Sequence, residues 1–157
     1  MGRNSSNFRT TCFMFTAQCC FMDCQLYQFH YINENKTWTE AQQYCREKHT
    51  DLVTVTNMKD MKRLINISGD QREAWIGLIK VKMMNFADHR AYFGLFRDNW
   101  RWSDGSSFSF RHWKKNFNNP ESISDQCAMT VFGDGGRWKN VSCSVRKPFI
   151  CYDGEML

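Results

Sequence analysis

Proline is nearly absent, at two residues, and glycine is sparse, at nine in a chain of 157. So little of either leaves no low-complexity tract and no linker, and no internal repeat is visible. The chain therefore reads as one domain, long enough to bury a real core. No apolar run approaches the roughly 18 residues that a membrane span requires. An excess of one charge is also missing: the net charge is a mild +5, with lysine, arginine and acid mixed along the whole length. That argues against a basic stripe, and no nucleic-acid partner is expected. Metal motifs are missing too. His30, His49, His89 and His112 are scattered, none in an HExxH pattern, and no Cys-x-x-Cys meets a second one at zinc spacing. No metal site is expected from the sequence.

What is present in quantity is cysteine, at eight residues. Without a metal motif, that number points to a disulfide framework in an oxidising compartment, and so to a secreted or extracellular protein. Four Asn-x-Ser/Thr triplets, at Asn4, Asn35, Asn66 and Asn140, agree with that compartment. Asn35 and Asn66 are the two expected to be glycosylated. Residues 1–25 have the order of a degenerate signal segment, with Arg3 and Arg9 ahead of a semi-apolar stretch that three cysteines interrupt. Met1-Gly2…Ser6 also fits the loose myristoylation pattern, but an acylated cytosolic chain would not keep a disulfide framework.

Along the rest of the chain, residues 28–32 alternate as a short strand with Phe29 and Tyr31 on one face. Thr37-Trp38-Thr39-Glu40 is a capping box, followed by Trp38, Ala41 and Cys45 at helical spacing, which predicts a helix to about Lys48. Leu52, Val53 and Val55 suggest a brief extended piece. A second helix opens at Asn57, buries Met61, Leu64 and Ile65, and stops at Gly69. Strands are expected at 74–78, 100–102, 126–132, 137–141 and 149–152, with Gly133-Asp134-Gly135-Gly136 turning a hairpin. Helices first and strands afterwards predict an α+β fold.

These residues carry a specific resemblance. Trp38-x-x-Ala41-x-x-x-Cys45, Asp51-Leu52, Trp75-Ile76-Gly77-Leu78 and Trp100-Arg101-Trp102 occur in order, followed by Cys127, Gly136-Arg137-Trp138, Cys143 and Pro148-Phe149-Ile150-Cys151. The set resembles the C-type lectin-like domain, in the style of its small members from fish, and places that domain at 26–153. The resemblance implies a disulfide-stapled fold of two helices, antiparallel sheets and a long loop region. It also implies the pairings Cys45–Cys151 and Cys127–Cys143. Long-form members carry a further cysteine where this chain has Gln28, so Cys12, Cys19, Cys20 and Cys24 receive no partner from the family pattern. The tryptophans read as core packing rather than ligand contacts. Gly77 reads as a close backbone approach.

In sugar-binding members of the family, a Glu-Pro-Asn triplet, a later Trp-Asn-Asp and a further acid coordinate a calcium ion that the sugar hydroxyls ligate. Calcium takes about six to eight oxygen ligands. Counted from Trp113 the triplet falls on Phe117-Asn118-Asn119 and the intermediate acid on Asp125; counted from Trp138 the strand pair falls on Lys139-Asn140. Asn119, Asp125 and Asn140 keep usable chemistry, while Phe117 offers no oxygen and Lys139 puts an ammonium where a ligand belongs. An alternative register, Asn119-Pro120-Glu121, sets proline too close to Cys127 and too far from Trp113. Calcium is therefore disfavoured and no cofactor is expected. Family members commonly pass from Leu78 almost straight to Phe96, so about 79–95 looks inserted and is expected outside the core. The implied function is non-enzymatic recognition of a glycan or cell-surface protein without calcium. Its rivals are a calcium-dependent lectin and an ice-binding surface protein. For an enzyme the sequence offers only Asp125 and His112 as an acid–base pair, with no nucleophile beside them.

Overall fold

The computed structural model describes residues 27–81, 99–119 and 124–154. The leader segment, Asn4, the four unassigned cysteines, and Pro120 and Glu121 lie outside the described residues, as does most of the expected insertion.

The architecture is α+β. Strand β1 (Tyr27–Lys36) leads to helix α1 (Trp38–Lys48), the short β2 (Asp51–Leu52), and helix α2 (Met58–Ser68). Then come β3 (Glu73–Lys80), β4 (Trp100–Trp102), β5 (Gln126–Val131), β6 (Arg137–Ser142) and β7 (Lys147–Gly154). The sheet runs β1-β7-β3-β5-β6, with β2 added to β7 and β4 to β3. The first and last strands therefore pair, Tyr27 opposite Gly154 through Ile32 opposite Phe149. Among the described residues no helix is long and apolar enough to cross a membrane.

Local chemistry fixes the helices. At α1 the Thr37 hydroxyl accepts from the Glu40 amide, and the Glu40 carboxylate accepts from the Thr37 amide at 3.0 Å. This satisfies two amides that the first turn would otherwise leave orphaned. At α2 the Asn57 side chain caps the Asp60 amide at 2.9 Å, and Gly69, at φ 55°, ends the helix in the left-handed region.

Strand alternation divides the core into two layers. On one face Trp75, Met129, Phe149 and Cys151 pack with Trp38, Ala41 and Cys45 of α1. On the other, Ala74, Ile76, Leu78, Ala128, Trp138, Ile150 and Tyr152 pack with Met61 and Leu64 of α2. The indoles read as core are core: Trp75 and Trp138 are fully buried, and Trp100 and Trp102 nearly so. The Trp38 ring N–H donates to the Ile76 carbonyl at 2.8 Å and that of Trp75 to the Lys36 carbonyl at 3.0 Å, which ties α1 and β1 to the sheet. Gly77 has the predicted role. A Cβ there would stand 3.0 Å from the carbonyl oxygens of both Leu52 and Val53.

Both expected disulfides are present, Cys45–Cys151 with Cα atoms 5.4 Å apart and Cys127–Cys143 at 5.0 Å. Three expectations need correction. The first strand is ten residues, longer than 28–32, because β7 offers it partners as far as Lys147. Phe132 is not strand but starts a 3-10 turn, Phe132–Asp134, beyond which Gly135 and Gly136 take positive φ to begin β6. Finally, Ile79 and Lys80 do not lie outside the core as expected. They extend β3, where Ile79 pairs with Arg101 and Cys127 and Lys80 with Trp100. The amide of Val81 then donates to the carbonyl of Asn99 at 2.7 Å, so the two ends of the excursion are already joined; the remainder, 82–95, lies outside the described residues.

Candidate functional site

The family's ligand positions fall where the loop after β4 meets the β5–β6 hairpin. Trp113 bridges to Trp138, and the Lys114 amide donates to the Trp138 carbonyl at 2.8 Å, which docks the loop on β6. Phe117 then lies flat on Trp113, ring centroids 4.0 Å apart at an interplanar angle of 11°. Both rings border Trp100, at 6.3 Å and 4.8 Å. The position that carries a ligand carboxylate in the family pattern is thus occupied by one leaf of an aromatic stack.

The three retained positions are gathered in one neighbourhood, and two of them, Asn140 and Asp125, are engaged with other partners. The Asn140 amide nitrogen donates to the Gln126 side-chain oxygen at 3.0 Å and to the Asn118 carbonyl at 3.3 Å, so it joins the loop to the start of β5. Asp125, exposed and at φ 62°, accepts from the Ser142 hydroxyl at 2.8 Å. Its carbonyl also accepts from the Cys143 amide beside the Cys127–Cys143 bridge. The Asn119 side-chain oxygen is buried without a hydrogen-bond partner. Among the described residues the set offers one carboxylate and the side-chain oxygens of Asn119 and Asn140, against the several carboxylates calcium commonly recruits.

Lys139 is not in this group. Trp138 and Asn140 face the loop side of β6, so strand alternation sends Lys139 to the α1 side, where its Nζ lies 3.3 Å from Glu73. Lys147 bonds the same carboxylate. Burial opposes ionisation of Glu73, but these two lysines outweigh it and hold its pKa below the ordinary value. The lysine therefore does not repel a cation at the loop; it contributes only the loss of a ligand.

The other polar residues near the core have structural work. Asp51, nearly buried, accepts from the Ser103 hydroxyl at 2.7 Å and pairs with Arg46. Asp104 accepts from Thr54 at 2.9 Å and from Tyr152 at 3.0 Å, and burial together with that carboxylate pushes the Tyr152 phenol far up. His112 contacts the Gly135 carbonyl while Asp125 contacts Ser142, so no bond links the two residues imagined as an acid–base pair. Asn35 and Asn66 are exposed, whereas Asn140 is half-buried and tied by its amide.

One constellation is invisible in the linear sequence. His30 of β1, His49 at the end of α1 and Asp153 of β7 converge beside the Cys45–Cys151 bridge. Their ligating atoms all lie within 4.8 Å of one another. The imidazoles stack with centroids 4.6 Å apart; Asp153 lies 2.8 Å from Nε2 of His30 and 3.1 Å from Nδ1 of His49. Burial again works against ionisation of Asp153, but His49 and then His30 hold its pKa below the usual value. The signal was the pairing of the first and last strands, which no local spacing expresses.

Known proteins share this organisation. The model of the family described as "Lectin C-type domain" matches residues 34–153. The human C-type mannose receptor 2 is 32% identical over 120 residues, which is 75% of this chain but 7% of that receptor. The galactose-specific lectin nattectin of Thalassophryne nattereri is 28% identical over 130 residues, 78% of this chain and 71% of its own length. In fold, a calcium-independent type II antifreeze protein superposes with a TM-score of 0.67 at 19% identity, covering 85% of this chain and 90% of the other. The matched span carries both disulfides, both helices, strands β2 to β6 whole, β7 but for Gly154 and the end of β1, so the chain belongs to the C-type lectin domain family.

Proposed function

We propose that this is a non-enzymatic extracellular recognition domain that binds a glycan or a cell-surface protein without calcium. The observation that carries the reading is Phe117 stacked on Trp113 at the position where the family pattern places a ligand carboxylate. Asp125 and Asn140, the neighbouring oxygen-bearing side chains, hold the loop to the hairpin through Ser142, Gln126 and Asn118. A half-buried aromatic pair at the rim of a rigid scaffold suits contact with the apolar face of a sugar ring or with a protein side chain. The disulfides favour an oxidising compartment, and the names of the relatives, a mannose receptor and a galactose-specific lectin, supply the sugars to try first. No described pair of groups is arranged as nucleophile and base.

The test is retention of the secreted protein on mannose and galactose resins, and on intact cells, in calcium and in chelator. Binding that is equal in both conditions supports the proposal. Retention on either resin that a chelator abolishes overturns it in favour of a calcium-dependent lectin.

A further inference from the structure

We propose that His30, His49 and Asp153 form a binding site for a borderline divalent metal ion of the zinc class, separate from the loop site and independent of the function proposed for it. Three different elements supply the ligands. Alternation along β1 puts Phe29 and Tyr31 in the layer under α2 and leaves His30 with Ile32 on the α1 side. The same alternation along β7 puts Asp153 on the face of Phe149 and Cys151. His49 caps α1, its amide bonded to the Cys45 carbonyl at 2.7 Å, directly above that face. The Cys45–Cys151 bridge locks α1 to β7 beneath the cluster, so the three side chains converge on a rigid base.

Two imidazoles and one carboxylate are the donor set of zinc-type ions rather than of calcium or magnesium, which favour all-oxygen shells. Donor atoms on a tetrahedral ion at about 2.0–2.1 Å lie roughly 3.3 Å apart. The observed separations, 2.8 Å and 3.1 Å to Asp153 within a group spanning 4.8 Å, bracket that value. The decisive detail is Nε2 of His30. It is buried and lies 2.8 Å from the Asp153 carboxylate, an ion pair whose orientation falls short of an aligned hydrogen bond. A metal ion between that nitrogen and the carboxylate would give both a directional partner. The side chains keep 34%, 17% and 45% of their surface exposed, which leaves room for water to complete the coordination.

Isothermal titration of the full chain with zinc chloride at about pH 7.5 tests the proposal. Free thiols are first alkylated, because cysteines outside the described residues would bind zinc themselves. The expected result is one saturable event at about one ion per chain, weakened at least tenfold by His49→Gln and by the near-isosteric Asp153→Asn. Calcium should produce no event at this site. Long-range proton–nitrogen spectra of the wild type should show zinc moving the His30 and His49 ring nitrogens but not those of His112, a readout that needs no variant to fold. Absence of a saturable heat below about 1 mM zinc overturns the proposal, as does a heat that both variants leave unchanged or ring shifts confined to other histidines.

Discussion

The two disulfides close loops of very different length, and their removal should cost correspondingly different amounts. Cys45–Cys151 spans 106 residues and Cys127–Cys143 spans 16. In the chain-entropy description, those lengths correspond to about 4.8 and about 3.1 kcal/mol of stability at 25 °C, a difference of about 1.7 kcal/mol. Packing contributes little to the difference, because all four cysteines are essentially buried and each pair loses the same atoms on replacement by alanine. The perturbation is therefore C45A/C151A against C127A/C143A, made as pairs so that neither variant carries an odd thiol. Equilibrium unfolding in guanidinium, with the slope fitted separately for each variant because the opened loops expand the unfolded chain, reads the two losses. The long-loop variant should be the less stable by more than 1 kcal/mol, on the order of the estimate above. Equal losses, or a larger loss for the short loop, would refute the entropic argument and point to native packing around Cys127–Cys143 as the stronger constraint.

Three further outcomes are expected. Replacing residues 82–98 with a two-residue Asn-Gly turn between Val81 and Asn99 should leave the far-ultraviolet circular dichroism unchanged, because those two residues are already hydrogen-bonded at 2.7 Å; loss of the folded spectrum would show that the segment completes the core. Gly77→Ala should destabilise by about 1–3 kcal/mol in thermal unfolding, since its Cβ would press on two backbone carbonyls that cannot rotate away. The Glu73 pKa is lowered in the folded state, so its contribution is present above the ordinary carboxylate value of about 4.5 and is lost as pH falls through the folded value. Glu73→Gln should accordingly flatten the acid limb of a stability-versus-pH curve below about pH 4.5 and leave its slope at neutral pH unchanged.

Features written in local spacing were legible in the sequence. The Thr37–Glu40 capping box, the Asn57 cap and the Gly69 stop act within four residues, and each stands where its pattern placed it. The buried indoles and the close approach at Gly77 followed from residue type within strand-like runs. The disulfide pairing came from the family pattern and not from spacing. What failed were properties of pairing between distant strands. Ile79 and Lys80 were expected outside the core, but β4 and β5 offer ladder partners, and hydrogen bonding holds both residues in β3. Lys139 was assigned to the loop by its position beside Trp138, yet a strand sends neighbours to opposite faces, and Glu73 on β3 supplied the counter-charge. The His30–His49–Asp153 cluster is the extreme case, because Asp153 lies 104 positions from His49 and farther still from His30, and the β1–β7 ladder brings them together.

The claim on which the functional account rests is that the loop between β4 and β5 no longer holds calcium. Calorimetric titration of the folded chain with calcium, paired with its melting temperature in the presence and absence of the ion, measures it directly. An aromatic stack at Phe117, one carboxylate at Asp125 bonded to Ser142, and an Asn140 amide committed to Gln126 predict no saturable heat and no change in melting temperature at millimolar calcium. A saturable heat with a matching rise in stability, about 2.7 kcal/mol once calcium reaches a hundredfold excess over its Kd, would contradict the account and return the domain to the calcium-dependent lectins.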